Sequence, residues 1–368
     1  MGFSLQDHAR WQTERLTTLY SFCSQSNCTD GIGPTGTLVQ GTDGNFYGVT
    51  VIGGTYICSI DEVGCGTLFK ITPGGTLTTL HEFDGSDGGN PGAGLVQGSD
   101  GNFYGTTETG GTSSNCAVLD WVGCGNVFRI TPTGALTNLY SFDWTDGAAP
   151  QTTLLQASDG NFYGATSNGG ECNGEGTIFK ITPSGTLTTL VNCAEAGSGG
   201  LVQGTDGNLY GTDLSGAYGQ GAIFKMTLNG TLTDIYSFCS QSGCPDGSGP
   251  FTGVVQDTNG SFYGTTLQGG TGSACLDGCG TIFSLSVGLG PFVKTQPPGG
   301  KVGAAVKILG TNLTSASSVT FNGTPATFTV EASSVIKATV PAGATTGTVQ
   351  VVTPSGTLSS NVPFRVKP

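Results

Sequence analysis

Few side chains in this sequence can do chemistry. The 368 residues carry two histidines and 25 carboxylates. His81 occupies a strand slot that Tyr20, Tyr140 and Tyr236 fill elsewhere, and His8 lies in the leading segment. A Ser–His–Asp or Cys–His nucleophile system therefore lacks a credible base. No glycine-rich run follows a strand and opens a helix, so phosphate loops are unsupported. Paired carboxylates remain, since glycoside cleavage needs two acids roughly 5–10 Å apart. Eight acids recur at equivalent turns: Asp43, Asp100, Asp159 and Asp206 in hairpins, and Asp30, Asp87, Asp146 and Asp246 in Asp-Gly links. Such recurrence reads first as shared turn chemistry. A single catalytic centre needs unlike residues, and the non-repeating acids Glu108 and Asp213 are the candidates for it. Asp61 and Glu62 lie on the same class of loop.

Binding is the competing reading. Aromatic rings stack on sugar faces and carboxylates accept hydroxyl hydrogen bonds. Asp30, Asp87, Asp146 and Asp246, with Trp121, Trp144 and Tyr56, make up the candidate ligand-binding set, and a neutral glycan is the expected partner. Calcium could sit among Asp-rich links such as Asp84 and Asp87, but no EF-hand spacing supports it, and no cofactor is expected. The net charge of −13 and pI near 4.3 oppose nucleic acid, which needs a basic footprint. No apolar run approaches the ~20 residues that span a bilayer. Low charge and glycine-rich surfaces leave self-association open.

The elements that must position these residues follow from internal repetition. Asp-Gly-Asn-Phe-Tyr-Gly stands at 43–48, 100–105 and 159–164, with variants at 206–211 and 259–264; the starts lie 57, 59, 47 and 53 residues apart. Each phrase is preceded by a short apolar run ending in Gln (Gln40, Gln97, Gln156, Gln203, Gln256). Each is followed by a glycine-rich loop and a second phrase, Gly-Thr-Leu-Phe-Lys-Ile-Thr-Pro at 66–73 with variants at 125–132, 176–183, 221–228 and 280–287. A Leu-Thr-Thr-Leu-Tyr-Ser-Phe phrase comes last. All alternate apolar and polar residues, the strand period. Asp-Gly-Asn and Pro-x-Gly turns join them as hairpins. Each repeat is thus four short antiparallel strands, A to D, which indicates an all-β fold, a five-bladed β-propeller.

Strands A to C occur five times, but D follows only the first four sets. The missing D is Leu16–Phe22, and the ring is expected to close by pairing it with Thr281–Leu285. A six-bladed ring or an open array is the runner-up. Short A–B and C–D turns should share one face, and long B–C loops and D–A links the other. All twelve cysteines lie in the latter: Cys23/Cys28, Cys58/Cys65, Cys116/Cys124, Cys239/Cys244 and Cys275/Cys279 as close pairs, with Cys172 and Cys193 left over. An even count in such loops reads as disulfides in an oxidising compartment. Unequal spacings and only two histidines disfavour zinc. The opening Met1–Arg15 is a tail without a signal-peptide core, so an export signal is expected outside this chain.

The Gly-Leu-Val-Gln-Gly-x-Asp-Gly-Asn-Phe-Tyr-Gly-Thr-Thr and Gly-Thr-Ile-Phe-Lys-Ile-Thr-Pro phrases resemble the GloVer-type tandem repeats of bacterial secreted proteins, over about 270 residues. That resemblance implies export and surface association but no activity transferable by residue.

Composition shifts near residue 290. Residues 291–368 carry +5 and the first 290 carry −18, which marks a domain boundary. The expected organisation is a tail (1–15), a propeller (16–288), a partly flexible linker (289–300) and an Ig-like sandwich (301–368). Gly310-Thr311-Asn312-Leu313, the run 319–326, and Val340-Pro341-Ala342-Gly343-Ala344 make this last stretch similar to an IPT/TIG domain, usually a spacer or accessory module. The sequence thus predicts a secreted or cell-surface glycan-binding protein, not an enzyme by preference. Its alternatives are a glycoside hydrolase or lyase and a structural adhesion or filament protein.

Overall fold

The computed structural model describes residues 16–58, 64–116, 123–171, 174–192, 194, 199–272, 275 and 278–367. The described chain is all-β apart from 3-10 turns such as Ser26–Cys28 and Leu313–Ser315. Sheet one holds β1 (Ile32–Gln40), β2 (Phe46–Ile52), β3 (Thr67–Ile71) and β4 (Leu77–Glu82). Sheet two holds β5 (Val96–Gln97), β6 (Phe103–Thr107), β7 (Asn126–Ile130) and β8 (Leu136–Ser141). Sheet three holds β9 (Leu155–Gln156), β10 (Phe162–Thr166), β11 (Thr177–Ile181) and β12 (Leu187–Asn192). Sheet four holds β13 (Val202–Gln203), β14 (Leu209–Asp213), β15 (Ala222–Met226) and β16 (Leu232–Ser237). Sheet five stops at three strands, β17 (Val255–Gln256), β18 (Phe262–Thr266) and β19 (Thr281–Leu285).

Each sheet is an antiparallel meander, and turn chemistry explains its register. Asp100 Oδ1 accepts the Asn102 N–H at 3.1 Å, and its Oδ2 accepts Asn102 Nδ2 at 2.7 Å and the Tyr104 hydroxyl at 2.9 Å. Asp43, Asp159 and Asp206 repeat that knot with Tyr47, Tyr163 and Tyr210. Gly44 and Gly101 adopt φ near +86° and +87° there, a region open to glycine at little cost. A one-residue register shift recurs between the third and fourth strands, at Leu68/Phe69, Val127/Phe128, Ile178/Phe179 and Ile223/Phe224. Such bulges add twist.

The core lies between successive sheets. Tyr47 of sheet one stacks on Phe103 of sheet two at 3.9 Å, Tyr104 on Phe162 at 4.0 Å, and Tyr210 meets Phe262 at 4.2 Å. Phe83 packs on Phe128, Phe142 on Phe179 and Phe238 on Phe283 at 5.2–5.4 Å. Each buried ring contributes about 1.5–3 kcal/mol. A glutamine latch adds direction. Gln156 Oε1 accepts the Ser99 N–H at 2.9 Å, and Gln203 does the same for Ser158 at 2.9 Å. Gln97 takes the Thr42 N–H at 3.1 Å, and Gln256 Nε2 reaches the Thr205 hydroxyl at 3.4 Å. Four latches therefore join the five sheets in chain order.

The ring closure expected from the sequence is not made. Leu16–Phe22 forms no strand and does not pair with β19, whose Ile282 is 85% exposed. The segment instead lies against sheet one, as a fourth strand lies against the sheet that follows it. Phe22 packs on Phe69 at 5.0 Å. A Cβ on Gly75 would lie 2.7 Å from the Leu19 carbonyl, as one on Gly134 would lie 2.8 Å from that of Leu80. Strand chemistry written in the phrase is thus local. Closure depends on the summed rotation of five interfaces, which no single phrase encodes.

The segment 289–300, expected as a partly flexible linker, contributes strands to the C-terminal unit. It supplies β20 (Lys294–Gln296) and β21 (Gly299–Lys301), and Phe292 and Val293 are buried. The remaining strands are β22 (Ala305–Leu309), β23 (Ser318–Phe321), β24 (Thr324–Pro325), β25 (Phe328–Ala332), β26 (Val335–Thr339), β27 (Val349–Thr353), β28 (Gly356–Ser359) and β29 (Arg365–Lys367). Two sheets, ordered β20-β22-β26-β25 and β24-β23-β27-β28, share one core that includes Ile308, Ile336, Phe321 and Val351. β21 pairs in parallel with β29.

This C-terminal unit touches the repeat array at the hairpin-turn end. Thr258 pairs with Thr311 at 3.1 Å, and the Phe292 N–H donates to the Thr258 carbonyl at 3.0 Å. Arg365 Nη1 donates to the Gly98 carbonyl at 3.2 Å.

Candidate functional site

The long loops and inter-sheet links gather at the opposite end. Isolated bridges stitch the link before a sheet to the B–C loop of that sheet: Gly89 to Thr109, Ala148 to Asn168, Ser248 to Gln268. Gly54 N–H donates to the Cys28 carbonyl at 3.1 Å, and Gly270 N–H to that of Cys244 at 2.8 Å. Five disulfides pin this rim: Cys23–Cys28, Cys58–Cys65, Cys116–Cys124, Cys239–Cys244 and Cys275–Cys279. Cys172 and Cys193 lie outside the described residues, as do Trp121, Asp61 and Glu62.

The four Asp-Gly carboxylates are turn clamps. Asp30 accepts the Tyr20 hydroxyl at 2.7 Å and the Ser24 N–H at 3.0 Å. Asp87 meets His81 Nε2 at 2.7 Å and accepts the Asp84 N–H at 3.0 Å. Asp146 accepts the Tyr140 hydroxyl and, at 2.9 Å, the Asp143 N–H. Asp246 takes the Tyr236 hydroxyl at 2.8 Å and the Cys239 N–H at 3.1 Å. One motif therefore holds each fourth-strand aromatic to the following link, and His81 is its imidazole version. The four clamps stand in the links before sheets one, two, three and five.

Their electrostatics differ. Burial alone would raise the Asp30 carboxyl, but hydrogen bonds from Tyr20 and Ser24 outweigh it and hold it below the usual range. At Asp146 burial wins over the same kind of bonds, and the carboxyl is pushed up. Burial and the Asp146 partner push the Tyr140 phenol up.

Glu108 and Asp213, the candidate catalytic acids, leave different sheets and are engaged by different partners. Glu108 follows β6 in sheet two and accepts Gln151 Nε2 at 2.7 Å. Asp213 ends β14 in sheet four, where it accepts the Ser215 N–H at 2.5 Å and the Ser215 hydroxyl. Sheet three stands between them in the latch order. Repeat position alone says where an acid leaves its strand, not which sheet faces it. Asp213 has another acid near it: burial, then the charge of Asp213, raises the Asp234 carboxyl. Asp84 Oδ1 holds the Ser86 N–H at 2.9 Å and the Asp87 N–H at 3.1 Å. Among the described residues no three His, Cys, Asp or Glu side chains form a metal-holding group.

The aromatic candidates divide. Trp144, at φ +80°, is half-buried against the core between sheets two and three. Tyr56 is 51% exposed on the rim, and Tyr218, which sequence reasoning passed over, is 56% exposed in the loop after β14. Only Tyr218's non-repeating position could have signalled it.

Two polar features were not legible in the sequence. Asn126 is fully buried, and neither its Oδ1 nor its Nδ2 has a partner. In its place sheets one, three and five carry Thr67, Thr177 and Thr281, which pair with Thr50, Thr166 and Thr266 at 2.8–3.0 Å. Lys294 donates to the Gln256 carbonyl, and burial pushes its ammonium group down. It borders a 530 Å³ cavity between sheet five and the C-terminal unit.

No helix among the described residues is long and apolar enough to cross a membrane. No curated protein matches the sequence. Among solved structures, a candidate gluconolactonase is similar at 13% identity and a TM-score of 0.41, covering 86% of this chain and 93% of its own. A gluconolactonase from Xanthomonas campestris gives 12% and 0.35, covering 85% and 96%. A luciferin-regenerating enzyme gives 14% and 0.38, covering 71% and 93%. Residues 8–122 and 120–356 match the Gloeobacter/Verrucomicrobia repeat, so the phrases that define the sheets are this repeat, and the chain belongs to that family.

Proposed function

We propose that this protein is a non-catalytic extracellular binding scaffold. Its five repeat sheets act as blades of a propeller-type array, followed by an Ig-like module of IPT/TIG type, and its cystine-pinned rim meets a neutral glycan. The observation that carries this reading is the state of the rim carboxylates. Asp30, Asp87, Asp146 and Asp246 are each tied to an aromatic partner and a backbone N–H. Glu108 and Asp213 are engaged separately. General acid–base work needs two carboxyls that face one bond, and binding does not. Tyr56, beside the Ile57–Gly64 bridge, and Tyr218 are exposed on the long loops, which suits sugar stacking. Disulfides of this number fit an oxidising compartment.

The test is a glycan array with the full chain. Binding should appear without product release and fall at least tenfold in Tyr56→Ala and Tyr218→Ala. Release of shortened glycan that is abolished by Glu108→Gln or Asp213→Asn would replace this reading with the enzymatic one.

A further inference from the structure

The two ends of the repeat array are unmatched halves of the interface that recurs inside it. On sheet five, Ile282 is 85% exposed, whereas Leu68, Val127, Ile178 and Ile223 at the same register position are 0–1% exposed. Tyr263 is only partly buried, although Tyr47, Tyr104, Tyr163 and Tyr210 are fully buried. On sheet one, Leu38 is 50% exposed, against 5% and 3% for its counterparts Leu95 and Leu154. Phe46 is likewise only partly covered, where Phe103, Phe162 and Phe262 are buried.

The strand edge shows the same mismatch. β19 has no fourth-strand partner, and a groove of 400 Å³ runs along it, bordered by Ile223, Tyr236, Phe238 and Ile282. Leu16–Phe22 repeats the sequence of the strands that fill this slot elsewhere. It is already seated on sheet one through Phe22–Phe69 and Tyr20–Asp30. An unpaired strand edge beside apolar surface is a template for strand addition.

We propose that a second copy of this chain occupies these surfaces head to tail. The sheet-one end of one copy, carrying its Leu16–Phe22, docks on sheet five of the next and completes it as a four-stranded sheet. The register follows from β3 and β4, where Lys70 faces Thr78 and Leu68 faces His81. Thr17 then faces Ser284 of the neighbouring copy, and Tyr20 faces its Ile282. Continuity with an interface made four times within the chain argues for this occupant. Pairing within one chain would require sheets one and five to meet, changing the stacking at the internal interfaces. A second copy uses both surfaces as they stand. The Thr258 hydroxyl, the counterpart of the latch residues Thr42 and Thr205, is held by Thr311. The contacts proposed to hold the neighbour are strand pairing and apolar contact. Such heterologous contacts build filaments or rings.

The experiment mixes full-length Thr17→Cys chains with full-length Ser284→Cys chains, and in parallel uses the double variant. Sedimentation velocity and negative-stain microscopy follow assembly as concentration rises. The expected result is a covalent dimer in the mixture and a covalent ladder in the double variant. Concentration-dependent oligomers should form that Ile282→Lys abolishes, with an unchanged circular dichroism spectrum. A monomer at every concentration would overturn the proposal. So would a double-variant crosslink confined within one chain, or oligomers that survive Ile282→Lys.

Discussion

Gln203 and Ser158 exchange two hydrogen bonds of 2.9 Å across the boundary between sheets four and three, one from the Ser158 N–H to Oε1 and one from Nε2 to the Ser158 hydroxyl. The same Nε2 also donates to Gly207 within its own turn at 2.8 Å. The amide thus couples a hairpin's shape to its neighbour's position. Gln40, at the equivalent place in sheet one, reaches only the Gly44 carbonyl at 3.2 Å. Gln203→Ala is expected to cost about 1–2 kcal/mol, and Gln40→Ala distinctly less. Urea unfolding of the two variants checks this, and equal losses would show that the latch adds nothing across the boundary.

Asn126 is the weak point of sheet two. Its buried amide has no partner, whereas three other sheets pair threonine hydroxyls in the same place. An unmet buried polar group costs about 1–3 kcal/mol. Asn126→Thr should therefore stabilise the fold by about 1 kcal/mol, seen as a higher urea midpoint at unchanged slope. A lower midpoint would mean that the amide has a role the threonine cannot fill.

Acid should weaken the hairpins. At Asp43, Asp100 and Asp159 partial burial alone would raise the carboxyl, but the Asn and Tyr hydrogen bonds prevail and lower it. A folded value below the unfolded 3.8 gives stability that is complete above 3.8 and is lost as pH falls through the folded value. In Asp159→Asn that part of the acid loss should be absent. Urea midpoints measured down through this window provide the check.

Asp146 runs the other way. Burial lifts its folded carboxyl above 3.8, so protonation on acidification favours the folded state in the window above 3.8. Asp146→Asn removes that offset. The variant's stability should fall more steeply than the parent's as pH drops toward 3.8, again by urea midpoints. A shallower fall would contradict the assignment.

Much of this was readable before any coordinates. The repeated phrases are strands because alternation and Asp-Gly-Asn turns act over four to eight residues, within reach of a local pattern. Close cysteine pairs were legible for the same reason. Leu16–Phe22 shows the boundary of that method. Its phrase specifies a strand's side chains and its seat on Phe69, but not a partner for its backbone, which is set by geometry accumulated over more than 200 residues. The bond between Glu108 and Gln151, 43 residues apart in sequence, was hidden for the same reason. The Asn126 vacancy is a three-dimensional fact, visible only when its threonine-bearing equivalents are seen to be paired.

The C-terminal unit gains a meaning from where it touches. In an array whose sheets meet mainly their immediate neighbours, unfolding starts at the ends, because terminal units have one supporting interface instead of two. Sheet five is such an end and lacks a strand as well. Thr311, Phe292 and Lys294 fasten it through Thr258 and Gln256. The appended sandwich is therefore a brace against fraying, and deleting it should let the last repeat melt ahead of the other four.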